Sequence, residues 1–166
     1  MYVIDTNALW KLDELRVDEA SKERVWGNIL DMAANGQLRI IDLTLDELRR
    51  HGRQACLDRL QPHIASDFVC KADDLLVDPY QVTLQRVITN FPAMAGANAA
   101  APNDRGAPKR KADAYIVTLA AMDAYTVVTQ EGQSSAQKIP NACRQFKVES
   151  IDVADLIIRE RLDRER

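Results

Sequence analysis

The sequence predicts an α/β fold with a mainly parallel central sheet. Two observations carry that expectation. Short apolar, β-prone runs alternate along the chain with longer segments whose apolar residues recur at helical spacing, and the connections between them are short. Alternation of this kind implies crossover helices that cover both faces of the sheet.

The elements follow in order. Residues 2–4 (YVI) form a first strand, apolar enough to be central and buried on both sides, and helical character begins at 8–12. In SKERVWGNILDMAANG, Val25, Ile29 and Met32 or Ala33 share a face, with Ser21 placed to cap the helix and Gly36 to stop it. LRIIDL at 38–43 reads as a second strand. Thr44 then opens the helix TLDELRRHGRQACLDRL, which Gly52 weakens without ending. Between 61 and 92 the pattern is mixed: IASDFVC fits strand or helix, and a further helix starts near Pro79. MAGANAAAPNDRGAPKRK, residues 94–111, reads as an exposed loop that closes on three cations. After it come a compact apolar helix (ADAYIVTLAAMDAY), a third clear strand (TVVTQ), a loop, a short helix (NACRQFK), VESID as a last strand or extended piece, and a charged C-terminal helix (VADLIIRERLDRER).

At 166 residues, 46% of them hydrophobic and 28% charged, the chain is sized and composed for one domain with a packed core. It shows neither the pattern of a secretory leader nor a run of roughly 18 apolar residues. A cytoplasmic protein without membrane contact is therefore expected. Cys56, Cys70 and Cys143 are widely spaced with no CxxC pair, and His51 and His63 are the only histidines. That pattern argues against a disulfide framework, a zinc knuckle and a hydrolase built on imidazole. Chemistry would rest on carboxylates. The formal net charge of −3 speaks only weakly against a nucleic-acid partner, because acids held around divalent cations drop out of the sum.

In an open parallel sheet, ligands bind beyond the carboxyl ends of the strands. Four acids are expected at that rim. Asp5 ends the first strand, Glu47 lies in the first turn of the helix after the second, Asp113 begins the helix after the basic loop, and Glu131 follows VVT. Each has a bland alternative. Asp5 can cap the next helix, Thr44-Leu45-Asp46-Glu47 fits a capping box, Asp113 suits a helix dipole, and Glu131 beside Gly132 can be a solvated loop residue. Jointly they point elsewhere: carboxylates converging on one cleft repel one another unless a cation neutralises them. An oxygen-only ligand set without His or Cys suits Mg²⁺ or Mn²⁺.

VIDTNAL, the acid in LTLDELRR, KADAYIVTLA and VVTQEG, in this order, resemble the PIN-domain nucleases, including the VapC-like toxins of bacterial toxin–antitoxin pairs. The likeness spans nearly the whole chain in element order, and QKIPNACRQFKV resembles a less characterised subgroup in which VVTxE and KIPxxC segments occur together. The resemblance implies a single three-layer α/β/α PIN-like domain over 1–166, with a longer helical and loop insertion at about 62–111. It implies that Asp5, Glu47 and Asp113 are metal-binding, catalytic acids, with Glu131 in a fourth position usually held by aspartate. Thr129 stands where the family places Ser or Thr, and Asn7 matches its small polar residue after the first aspartate. Glu131 reaches about 1.5 Å further than an aspartate would, so it is expected to bind a second ion through water or to order the ligands of the first. The implied activity is Mg²⁺- or Mn²⁺-dependent hydrolysis of single-stranded or looped RNA, leaving a 5′-phosphate and a 3′-hydroxyl.

Lys109, Arg110 and Lys111, immediately before Asp113, are candidate contacts to RNA phosphates, against the alternative of a solvated charge run. Trp10 and Trp26 read as core or interface residues before base-stacking platforms, and His51 as a surface histidine on the Glu47 face. Three other functions compete: a catalytically dormant PIN-like binding protein, a DNA-directed structure-specific nuclease, and a receiver-type signalling module, for which Asp5 and Asp42 make a poor acidic set. The expected partners are an RNA substrate, a cognate antitoxin protein whose Arg or Lys enters the acidic cleft, and a second copy of the chain docked through the apolar residues 153–158.

Overall fold

The computed structural model describes residues 1–64, 68–96, 110–132 and 136–164. Strands β1 (Tyr2–Ile4), β2 (Leu38–Ile41), β3 (Val69–Cys70), β4 (Thr126–Val128) and β5 (Ser150–Ile151) form one sheet in the order β3-β2-β1-β4-β5. Each of its ladders is parallel, with Tyr2 opposite both Leu38 and Thr126, Ile40 opposite Val69 and Val127 opposite Ser150. The chain adds β2 and β3 on one side of β1, then crosses to lay β4 and β5 on the other. Strand order therefore reverses between β1 and β4, where an open parallel sheet leaves a crevice at its carboxyl end.

The helices are α1 (Thr6–Asp13), α2 (Glu19–Ala34), α3 (Asp42–Arg50), α4 (Gln54–Leu60), α5 (Gln81–Asn90), α6 (Asp113–Asp123), α7 (Ile139–Gln145) and α8 (Val153–Glu160). Successive strand side chains point to opposite faces, and this divides the core in two. Ile4, Ile40 and Val128 pack with α1, α2, α4 and α8, whereas Val3, Ile41 and Val127 pack with α5, α6 and α7. The result is the expected three-layer α/β/α arrangement. Helix α6 is buried continuously from Ala114 to Ala120, consistent with its apolar sequence all round.

Several boundaries differ from expectation for local reasons. Asp18, not Ser21, caps α2: its carboxylate accepts from the Ser21 N–H at 3.0 Å and from the Ser21 hydroxyl at 2.6 Å. Helix α3 opens at Asp42 and not at Thr44, because the Asp42 carboxylate accepts the N–H groups of Leu43 at 2.8 Å and of Ala72 at 3.0 Å. Thr44 then lies inside the helix, and no capping box forms with Glu47, which falls in the second turn. Gly52 ends α3 outright. It adopts φ 66, and the Gly52 and Arg53 N–H groups turn back to the carbonyls of Arg49 and Leu48, a Schellman closure that favours glycine. Gly36 closes α2 in the same way, as expected, at φ 68.

IASDFVC ends in the edge strand β3, with residues 65–67 outside the described set, and the helix expected near Pro79 starts at Gln81. The stretch 62–111 contributes β3 to the sheet and α5 to one helical layer, where α5 packs on α6; residues 97–109 lie outside the described set. The C-terminal helix is shorter than its charged sequence suggests, closing at Arg161 with φ 53. Val153 and Leu156 of α8 are in the core, so much of the apolar face expected at a dimer interface is engaged within the chain, while Ile158 is 73% exposed. Among the described residues, no helix is long and apolar enough to cross a membrane.

Candidate metal centre

Asp5 follows β1 directly and occupies the N-cap position of α1 with extended backbone, φ −82 and ψ 156, but its carboxylate makes no capping bond. The cap alternative therefore fails. Its carboxylate accepts instead from the Thr129 hydroxyl, 3.0 Å away at the end of β4. The Thr129 oxygen in turn accepts the Glu131 N–H at 3.1 Å, so one buried hydroxyl joins the two strand ends that flank the crevice.

Glu47 enters from α3. The buried Leu45 and Leu48 seat this helix on the core, which leaves Glu47 turned to the cleft with its side chain 12% exposed. One Glu47 oxygen accepts from the Thr6 hydroxyl and the other from the Ala112 N–H at 3.0 Å. Asp113 is the first residue of α6. One carboxylate oxygen from each of Asp5, Glu47 and Asp113 lies within 4.8 Å of the others. These acids line a cleft of about 220 Å³ together with Thr6, Asn7, Arg50, His51, Lys111 and Glu131.

The electrostatics follow from that crowding. Burial raises Asp5 well above the usual carboxylate range, and the charges of Asp113, Glu131 and Glu47 push it further against the opposing bond from Thr129. Asp113 is pushed up to about 7, first by burial and then by Glu47 and Glu131, while Lys111 pulls it down. Without a counter-ion, Asp5 and Asp113 retain protons that isolated carboxyls lose. Three convergent oxygen donors with no nitrogen or sulfur among them fit a hard divalent cation of the Mg²⁺ or Mn²⁺ type, whose charge would relieve the repulsion.

Glu131 stands beside this trio. Its oxygens face the Ile139 N–H at 3.0 Å and the Lys138 ammonium at 3.6 Å, and its side chain is 16% exposed. It is thus no solvated loop residue: it pins the segment after β4 to the start of α7 and adds negative charge to the cleft. Asn7 is exposed at the rim. Of the basic triplet, Lys111 lines the cleft and donates to the Ala93 carbonyl at 3.3 Å. Arg110 pairs with Asp73 at 2.6 Å and is not among the cleft-lining residues, and Lys109 lies outside the described set.

Thr6 and Arg50 are the members that sequence reasoning missed. Arg50 carried a signal, since it lies three residues after Glu47 on one helix face, and its guanidinium is 4.0 Å from that carboxylate. Thr6 and the Ala112 N–H carried none: they meet Glu47 across 41 and 65 residues of chain.

No curated protein shows significant similarity to the chain. The crystal structure of PAE2754 from Pyrobaculum aerophilum is similar in fold, with 20% identity, 96% of each chain covered and a TM-score of 0.52. At that identity the likeness bears on the fold alone. Residues 2–163, nearly the entire chain, match the family described as "Domain of unknown function (DUF4411)", and the chain belongs to that family.

Proposed function

We propose that this protein is a divalent-metal-dependent endoribonuclease of PIN type, acting on single-stranded or looped RNA, and that it serves as the toxin of a bacterial toxin–antitoxin pair. The observation that carries the reading is the meeting of Asp5, Glu47 and Asp113 within 4.8 Å, from three separate elements, at the carboxyl end of a parallel sheet. Mg²⁺ or Mn²⁺ would be held by these three acids and, when bound, supplies Lewis-acid stabilisation of charge on a phosphodiester and a nucleophile derived from water.

The remaining tasks fall to the chain's own side chains. Thr129 holds the Asp5 carboxylate and Thr6 that of Glu47, which limits their rotation and fixes the directions in which their other lone pairs point. Glu131, anchored on Ile139 and Lys138, keeps a negative charge at the edge of the cleft without leaving its place. Lys111 and Arg50, at the rim, offer cations to the phosphates on either side of the scissile bond. An antitoxin would close the same cleft with a basic side chain set among the three acids, and a second copy of the chain would dock around Ile158 of α8.

The test is cleavage of a fluorogenic single-stranded RNA. Turnover is expected with Mn²⁺ or Mg²⁺, is lost in EDTA, and is lost in Asp113→Asn while that variant still unfolds cooperatively. RNA left intact by a folded, Mn²⁺-loaded protein would favour the dormant binding protein. Preferential cutting of branched DNA would move the substrate to DNA.

A further inference from the structure

The acidic cleft has an aromatic edge that the proposed chemistry does not use. His51, exposed at the C-cap of α3, lines the cleft, and its ring stacks on that of Trp10 in α1, with centroids 6.0 Å apart and planes inclined by 30°. The Arg53 guanidinium lies 3.3 Å from the centroid of the Trp10 ring. Glu14 fastens the group from below: its carboxylate accepts from the Trp10 indole N–H and from Arg53 at 3.3 Å. His51 and Arg53 flank Gly52, whose left-handed turn closes α3, so the three planes are fixed by the backbone as well as by one another. Trp26, by contrast, is 1% exposed and belongs to the core.

We propose that His51, backed by Trp10 and Arg53, forms a subsite for an unpaired nucleobase of the RNA strand, next to the phosphate addressed by Asp5, Glu47 and Asp113. This inference rests on the ribonuclease reading above. The cations and acids of the cleft address only the phosphate backbone. Bases are recognised by π-faces, and an exposed ring held in place by a second ring behind it offers such a face with little rotational freedom left to lose on binding. Bases in a duplex are already stacked on their neighbours, so a stacking ledge of this kind selects single strands and loops. Trp10 does not line the cleft and His51 does, so His51 is the plane that meets the base.

The experiment measures binding of a uridine-rich RNA hexamer, and of the same hexamer with one base at a time removed to an abasic ribose, in the presence of Ca²⁺ to avoid turnover. Wild type is expected to bind the intact hexamer about tenfold more tightly than the hexamer abasic at the stacked position. His51→Ala should bind both at the weaker affinity, and His51→Tyr should restore the preference. Because His51 is exposed, His51→Ala should keep its melting curve, which serves as the check on folding. Equal affinity for intact and abasic strands at every position, or an undiminished preference in His51→Ala, would overturn the subsite. If that happens while wild type still cleaves RNA with Mn²⁺, the subsite falls and the nuclease reading stands; a protein that neither binds nor cleaves the hexamer overturns both.

Discussion

Asp5 and Asp152 occupy the same local position, and the fold uses them in opposite ways. Each follows a strand of the one sheet and sits at the N-cap of the next helix with extended backbone, φ −82 and ψ 156 in the first case, φ −93 and ψ 177 in the second. Asp152 behaves as a cap residue should: it is exposed and accepts the Asp155 N–H at 2.8 Å. Asp5 is buried, makes no capping bond and meets Thr129 across two strands. Asp42, after β2, stands with Asp152, one oxygen of its carboxylate accepting two backbone N–H groups. What separates them is the sheet. β5 is an edge strand and β2 lies to one side of β1, whereas β1 is the strand that meets β4 at the reversal of strand order. Topology, not local sequence, decides which strand-end acid stays available to a cation.

The largest expected effect tests that contrast directly. Asp5→Asn and Asp113→Asn should each lower Mn²⁺-dependent RNA cleavage by more than about a hundredfold, the scale of removing one preorganised charge-stabilising group. Asp152→Asn should change it by no more than about twofold. Comparable losses at Asp5 and Asp152 would erase the distinction. Next in size is the support beneath Glu47. Leu48 is fully buried, and Leu48→Ala should cost about 2–5 kcal/mol in urea unfolding, the usual range for such a cavity. A small loss would mean that α3 is not held to the core there.

The pH response sharpens the comparison further. Asp113 is pushed up to about 7 and Asp5 is also raised, so between the unfolded and folded values the native chain binds more protons than the unfolded one. Stability of the metal-free protein should therefore fall as pH rises from about 4 toward about 7, and Mn²⁺ should offset the fall. Thermal melts in EDTA across that range check the sign, and the share owed to Asp113 is the part that Asp113→Asn removes. The smallest effect is at the edge strand: Asp152→Ala should cost about 1 kcal/mol, as loss of a cap bond does, and leave the response to Mn²⁺ unchanged.

Much of the fold was legible because its signals are local. The strands at 2–4, 38–41 and 126–128 and the apolar helix α6 are apolar runs bounded by polar or glycine stops, and they emerge as the periodicity indicates. β3 was legible only as a choice between strand and helix in IASDFVC, since two residues are too few to fix a period. The start of α3 was misplaced because Thr44 to Glu47 imitates a capping box, while the true determinant, Asp42 bonding Ala72, spans 30 residues. The site divides in the same way. Asp5 and Asp113 were visible as acids at element ends. Glu131 was visible as an acid after β4, but its anchorage was not, because its partner Ile139 is defined only once the loop after β4 folds back on α7. The His51–Trp10 contact joins two helices and was equally hidden, which is why both residues read as ordinary from sequence.

The central claim is that Asp5, Glu47 and Asp113 share one divalent cation. Location of Mn²⁺ by anomalous scattering in crystals of the wild type and of Asp113→Asn tests it most directly. The expected result is a peak enclosed by the three carboxylates in the wild type and absent from the variant. No peak there at saturating Mn²⁺, or a peak elsewhere with all three side chains bonded only to protein donors, would contradict the claim.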